Sequence, residues 1–504
     1  MIRRLGPLCL TLISLVAFAA DNDTDRLIQE ALKPSPLETN LRRLTDEIGG
    51  RVPGTPAMDR ALSWGVAALK DAGADNVFAE EFMIPHSWAE GATEMTARTV
   101  RGQFDEQAAL KKPESRVTTF PVHAVSIAWA PPLAAIHQAP VVDVGEGTEA
   151  DFKNAGDVSG KILLVHTRLL KTWADLFWEY EQAPPVIARA VKGNAAAIAF
   201  MATRDRNILY RHTNSVTGEI DRLPMVIVAR EDGDRIARLL ASGNAVRADL
   251  SIPNRIGGPV KTWNVVAEMR GSEKPDEFVV LGAHLDSWEL GTGALDNGCN
   301  AALVIDVLRA IKASGLKPRR TIRFILFSGE EEGLLGSWAY VGAHRYELDQ
   351  AAGVVIYDSG TGKTTGFSTG GRKDLIPAAQ SLIAPLEQFG ATKLTPSAEA
   401  GTDHFDFMLE GVPTFVADQE EANYMENYHA TSDTFDKVDL AQLKKHVAEA
   451  AVLSFALASS PAHVGPRLNR AEIEKTLHET HLDDDMKSMG MWDDWVNGKR
   501  GRAQ

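Results

Sequence analysis

From residue 263 onward, apolar runs of strand length alternate with amphipathic stretches of helix length. Residues 265–269, 278–282, 321–327, 353–357 and 413–417 form the runs, and residues 300–313, 334–343, 377–389 and 439–459 carry the helical spacing. Strands alternating with helices in this way bury both faces of a sheet under helices. This half of the chain is therefore expected to be α/β, with a mixed, mostly parallel central sheet sandwiched by helices. Ligands of such sheets sit beyond the carboxyl ends of the strands. His284, Glu330 and Asp358 each fall just after a run, so three separate segments bring ionisable side chains to one sheet edge.

The rest of the chain divides by texture. Residues 1–19 read as a signal peptide, with Arg3 and Arg4 ahead of an apolar run over 8–18 and Ala17-Phe18-Ala19 before Asp21. That run falls short of the ~20 residues a membrane span needs. The expectation is cleavage and an exported protein, periplasmic or extracellular, with no stable membrane insertion. Cys9 leaves with the signal, so Cys299 has no partner for an internal disulfide and reads as a small buried residue. A formal charge of −15 argues against nucleic acid as a partner.

A length of 504 residues exceeds one ordinary core. Residues 20–118 are expected to open the main domain, with helical spacing at 27–48, a glycine- and proline-rich loop at 49–56, a helix at 57–72 and a strand at 76–83. Residues 119–260 carry short strands with glycine-rich joints, at 141–145, 160–165 and 225–228, and helical patterns at 185–193 and 233–242. They read as an inserted small α/β domain. Its His166 and His212 are isolated and read as structural or exposed. Residues 261–460 resume the main domain, and 461–504 form a tail, either a docking helix or a frayed end.

The second half holds two imidazoles, His284 and His429, and five carboxylates, Asp286, Asp296, Glu330, Glu331 and Asp358. Any one acidic side chain is more often solvated than a ligand. Charged groups directly after buried-type strands, however, must be paired or bind metal. Zinc accepts imidazole nitrogen and carboxylate oxygen, and a catalytic zinc keeps a position for water. Manganese and cobalt also suit such N/O donors. Two metals about 3.5–4 Å apart need a shared ligand, and Asp296, in a tight loop before a helix, suits that role. His284 would take one metal and His429 the other. Asp286, two residues from His284, is spaced to fix its tautomer. Glu330 and Glu331 are adjacent and diverge, so one can ligate while the other faces a water. Gly329 and Gly333 permit the close turn this needs.

Four blocks of the sequence resemble the signatures of the co-catalytic zinc exopeptidases: Gly282-Ala283-His284-Leu285-Asp286-Ser287, Ala294-Leu295-Asp296-Asn297-Gly298, the stretch 327–337 around Glu330-Glu331-Glu332, and Asn427-Tyr428-His429-Ala430-Thr431-Ser432-Asp433-Thr434. The short gap between His284 and Asp296 is most similar to the carboxypeptidase Q branch of that family, and residues 119–260 look like a protease-associated domain. The resemblance implies one zinc on His284 and Asp358, a second on Glu331 and His429, and Asp296 between them. It implies Glu330 as general base and acid, Asp286 as the residue orienting His284, a cis Asp296–Asn297 peptide, and Asp433 as a buttress of the last histidine's loop. His404, in Gly401-Thr402-Asp403-His404-Phe405, would either line the substrate pocket or sit exposed on a helix. The implied reaction is attack of a metal-bridging hydroxide on a peptide carbonyl of a dipeptide or short peptide, by an aminopeptidase or a dipeptidase, in a homodimer. Rival readings on the same fold are a glutaminyl cyclase, an amide hydrolase of acylated amino acids and a non-catalytic receptor-like homologue.

Overall fold

The computed structural model describes residues 23–100 and 117–503. The signal-peptide expectation on residues 1–19, with Cys9, lies outside the described residues. No described helix is long and apolar enough to cross a membrane.

The described residues contain two eight-stranded sheets. The first is built from β1 (Asn76–Ile84), β2 (Val260–Met269), β3 (Lys274–His284), β4 (Arg320–Phe327), β5 (Ala351–Ile356), β6 (Thr364–Ser368), β7 (Lys393–Thr395) and β8 (Thr414–Gln419). Their order is β1-β2-β4-β3-β5-β8-β6-β7. The central four, β4-β3-β5-β8, run parallel, and antiparallel pairings flank them. The apolar residues of β3, β4 and β5 are buried on both faces, which is why they read as unbroken hydrophobic runs. Each fully buried aromatic or branched side chain there, such as Phe324 or Val280, contributes roughly 1.5–3 kcal/mol.

Helices seal both faces. The helix Cys299–Ser314 ends at Gly315, whose φ of 72° gives the left-handed stop that glycine tolerates. The helix Leu440–Ser459 packs beside it and starts where the Asp439 carboxylate accepts the N–H groups of Ala441 and Gln442. Two expected helices differ from their patterns. The helical spacing at 27–48 is split after residue 32, because Pro34 and Pro36 cannot continue the ladder, and it resumes as Leu37–Arg42 and a wider turn at Arg43–Ile48. The helix expected at 185–193 instead spans Trp173–Lys192 and runs through Pro184 and Pro185. A reciprocal cap between Thr172 and Asp175 fixes its earlier start.

The second sheet takes in Glu94–Val100, ahead of the change in texture near residue 119, and then strands from Val117–Val122 to Ala245–Ile252. Glu94–Val100 pairs antiparallel with Ala245–Ile252, which joins the chain before this unit to its last strand. The tail is folded: helices Arg470–Glu479, Leu482–Ser488 and Trp492–Val496 bury Ile473, Leu477, Met486 and Trp495 against Phe405 and Leu409.

Candidate metal centre

His284 ends β3, Glu330 and Glu331 follow β4, and Asp358 follows β5, so the parallel core sets all four at one edge. Asp296 arrives from the turn before the helix Cys299–Ser314, and His429 from the loop after Tyr424–Asn427. His284 Nε2 lies 3.0 Å from Asp358 Oδ1 and 3.2 Å from Asp296 Oδ1. His429 Nε2 lies 2.8 Å from Glu331 Oε2 and 3.3 Å from Asp296 Oδ2. Glu330 Oε2 stands further out, 3.9 Å from His284 Nε2. All six side chains expected to ligate metal or transfer its protons therefore meet in one cluster.

Asp286 plays its part by a route the spacing did not indicate. His284 Nδ1 donates to the main-chain carbonyl of Asp286 at 3.1 Å, while the nearer carboxylate oxygen is 3.7 Å away. The other carboxylate oxygen accepts the N–H of Glu331 at 3.2 Å. Asp286 thus turns His284 Nε2 inward with its backbone and anchors the glutamate turn with its side chain. That turn needs its glycines. Gly333 has φ of 113°, and a Cβ there would come within 2.2 Å of the Val216 carbonyl oxygen.

The Asp296 loop is held from two sides. Asp433 accepts the N–H groups of Ala294, Leu295 and Asp296 at 3.1, 2.7 and 3.2 Å, and the Asp296–Asn297 peptide is cis. Arg51, in the glycine- and proline-rich loop at 49–56, is fully buried beneath it. Its guanidinium donates to the carbonyls of Leu285 (2.6 Å), Gly49 (3.0 Å), Thr292 (2.8 Å) and Gly293 (2.9 Å). Burial lowers its pKa to about 10, against the raising pull of Asp433, Asp286, Glu331 and Asp296. A lone arginine between a glycine pair and a helix start was the signal available for it.

The second sheet's unit buttresses His429. This residue has φ of 58°, uncommon for a side chain other than glycine and kept only where the surroundings impose it. Tyr210 pairs with Ala430 in an antiparallel bridge, and the Arg211 N–H donates to the His429 carbonyl at 2.9 Å. Arg204 donates to the Tyr428 carbonyl at 2.6 Å and forms a buried pair with Glu179. His212, expected to be structural or exposed, is buried between Tyr180 and Tyr210, and burial takes its pKa down to about 4.

His404 does not reach the substrate side. It is wholly buried in the helix His404–Leu409, and the wall of the cavity beside the cluster is made by its neighbours Gly401 and Thr402. Cys299 is buried as expected, its thiol donating to the Leu295 carbonyl at 3.4 Å.

Electrostatically the cluster calls for cations. Burial lifts Glu330 and Glu331 well above the carboxylate range, and neighbouring carboxylates add to this against the pull of His284. His284 is raised well above its ordinary value, because Asp358 and Glu330 outweigh the lowering effect of its burial. Donor atoms of His284, Asp296 and Glu331 all lie within 4.8 Å of one another, and Glu331 Oε1 is buried with no hydrogen-bond partner. Hard oxygen donors, imidazoles turned inward and uncompensated negative charge fit a divalent metal. A cavity of about 400 Å³ opens on Asp296, Glu330, Glu331, Asp358 and His429.

An α/β sheet that gathers two imidazoles and four carboxylates at the carboxyl ends of its parallel strands has the form of a metallohydrolase. Residues 264–454 match the model of peptidase family M28. Carboxypeptidase Q of Mus musculus is 26% identical over 420 residues, covering 83% of this chain and 84% of that protein. A peptidase M28 precursor from Shewanella amazonensis SB2B, known from its crystal structure, superposes with a TM-score of 0.77 at 25% identity, over 88% of this chain and 98% of the other. BSAP, a zinc aminopeptidase from Bacillus subtilis, shares the fold, with a TM-score of 0.62 at 18% identity over 86% of this chain and 97% of its own. The match over residues 264–454 and the likeness to these relatives support a peptidase of the M28 type, a co-catalytic zinc exopeptidase, and with it a metallo-exopeptidase hydrolase.

Proposed function

We propose that the cluster holds two zinc ions, one on His284 and Asp358, the other on Glu331 and His429, with Asp296 shared, and that the protein releases terminal residues from short peptides. The observation that carries this reading is the division of Asp296, with one oxygen near each imidazole. Bound there, the metals supply Lewis acidity for a scissile carbonyl and lower the pKa of water toward neutrality. Glu330, which faces the cavity from outside the closest donor set, takes the proton from the attacking water and returns it to the leaving nitrogen. Asp286 and Asp433 hold His284 and the Asp296 loop in register, so the donors need little rearrangement. Manganese or cobalt would satisfy the same donors.

The cavity favours a free amino end. Its lining includes two further carboxylates, Glu399 and Asp418. Burial, with Asp418 and Asp358 adding to it, lifts Glu399 to about 7. An ammonium group would restore the charged form of both. The described lining residues include no lysine or arginine to hold a carboxylate instead. The test pairs metal analysis with hydrolysis of Leu-Leu, its N-acetyl form and its C-terminal amide. The expected result is two metals per chain, cleavage of the free dipeptide and the amide, and none of the acetylated form. Cleavage of the acetylated form alone, or one metal with cyclisation of N-terminal glutamine, would overturn the reading. Residues 1–19 support export as part of the same proposal, which N-terminal sequencing of the mature protein tests.

A further inference from the structure

The match to the family model ends at residue 454, yet the chain beyond it reaches the cavity. The tail is fixed in place by Arg500, buried at 1% exposure, which makes two bonds of 2.7 and 2.8 Å to the buried Asp406 carboxylate. Asp406 lies on the helix that follows the Gly401–Thr402 wall. The Arg500 guanidinium also sits over Trp338, 4.7 Å from the ring centre. From this anchor the tail extends along the cavity's edge. Met491 packs in one cluster with Leu334 and Ala400, both of which line the cavity. The helix Leu482–Ser488 packs against Trp173–Lys192, the helix of the second sheet's unit that brings Leu176 and Phe177 to the lining of the same cavity.

We propose that Met489 and Met491 of the tail, which line the same cavity as Leu176 and Phe177, form with them an apolar subsite that contacts a side chain of the substrate and sets its preference. The inference rests on the exopeptidase reading above. Two thioethers, an aliphatic and an aromatic side chain from segments far apart in sequence meet on one cavity whose metal end is strongly acidic. Methionine fills irregular apolar space and adapts to varied side chains. Such a wall rewards the transfer of a substrate's apolar group from water and gives a substrate without one nothing to replace it. Met489 and Phe177 are only partly buried, so they can be truncated with little risk to the fold.

The experiment compares kcat/KM for Leu-Leu and Gly-Gly in the metal-loaded full-length enzyme, in Met489→Ala and in Phe177→Ala. Because both substrates meet the same preparation, their ratio is independent of the folded fraction. The ratio is expected to fall about tenfold in each variant, the scale of lost contact in an apolar pocket. Val496→Ala, on an exposed tail residue outside the cavity lining, is expected to keep the wild-type ratio. Wild-type ratios in both cavity variants would overturn the subsite while leaving the exopeptidase reading intact. Absence of cleavage of either dipeptide by the wild-type enzyme would overturn both.

Discussion

Asp296 presents Oδ1 to His284 at 3.2 Å and Oδ2 to His429 at 3.3 Å, so a single carboxylate spans the two halves of the cluster. Its backbone N–H is held by Asp433, and the loop beneath it by Arg51. The carboxylate is thus oriented before any metal arrives. Replacing it with an amide removes the charge and leaves one good oxygen donor. Asp296→Asn is expected to lose at least one equivalent of metal, and activity by more than the ~10–100-fold typical of an outer-sphere partner. Metal analysis of the purified variant alongside its kcat checks this. Full metal content with near-normal rate would exclude the shared role.

Glu330 is the cluster's carboxylate that stays 3.9 Å from the nearest imidazole and faces the cavity. Glu330→Gln keeps the size and hydrogen-bonding reach of the side chain and removes its capacity to carry a proton. The variant is expected to retain wild-type metal content and to lose about 10²–10⁴ in kcat. Simultaneous loss of metal would instead make Glu330 a ligand.

Arg51 joins the loop at 49–56 to the segment bearing Asp286 and Asp296, through four bonds to main-chain carbonyls. Each such bond to a charged donor is worth roughly 1.5–3 kcal/mol, and removal strands buried acceptors. Arg51→Met is expected to lower stability by at least ~3 kcal/mol in urea unfolding, and Arg51→Lys by nearly as much, because an ammonium cannot reproduce the planar fork. Unchanged unfolding midpoints would show that water replaces the guanidinium at no cost.

The strands that carry the site were readable because β3, β4 and β5 are buried on both faces, so their apolar runs are continuous and the residues after them stand out. His284, Glu330, Glu331 and Asp358 stood out for the same reason, whereas Asp296 and His429 lie in loops and were named from the resemblance of their sequence blocks. What the spacing could not tell was which atom of each residue acts. Asp286 meets His284 through its carbonyl, a matter of backbone direction that sequence spacing leaves open. Arg51 was illegible because its partners are carbonyls, which every residue has, brought near only by the tertiary fold. His404 fell on the wrong side because one helical turn cannot reveal which face meets the core. The cavity's outer wall comes from the helix Trp173–Lys192 and from the tail, segments whose own patterns carry no trace of the metal centre.

His344 offers a test of electrostatics away from the metal centre. It ends the helix Leu335–His344, 14% exposed, with Nε2 2.9 Å from Glu80 on β1 and Nδ1 2.5 Å from Glu347. Burial alone would lower its pKa, but Glu80 and then Glu347 outweigh this and raise it above 6.5. The folded protein therefore holds this proton more tightly than the unfolded chain does. Its contribution to stability is full below about pH 6.5 and disappears as pH climbs through the raised folded value. Glu347 has the opposite sign. Arg323 and then His344 lower it in spite of its burial, so its contribution is present above the ordinary carboxylate range and lost only in acid. Near neutrality the Glu347 contribution is complete and constant, so only that of His344 changes with pH there. Between pH 6 and pH 9 the urea midpoint of the wild type is expected to fall relative to that of His344→Gln, which cannot titrate. Parallel pH profiles for the two proteins would mean that the Glu80–His344–Glu347 bridge does not hold its proton in solution.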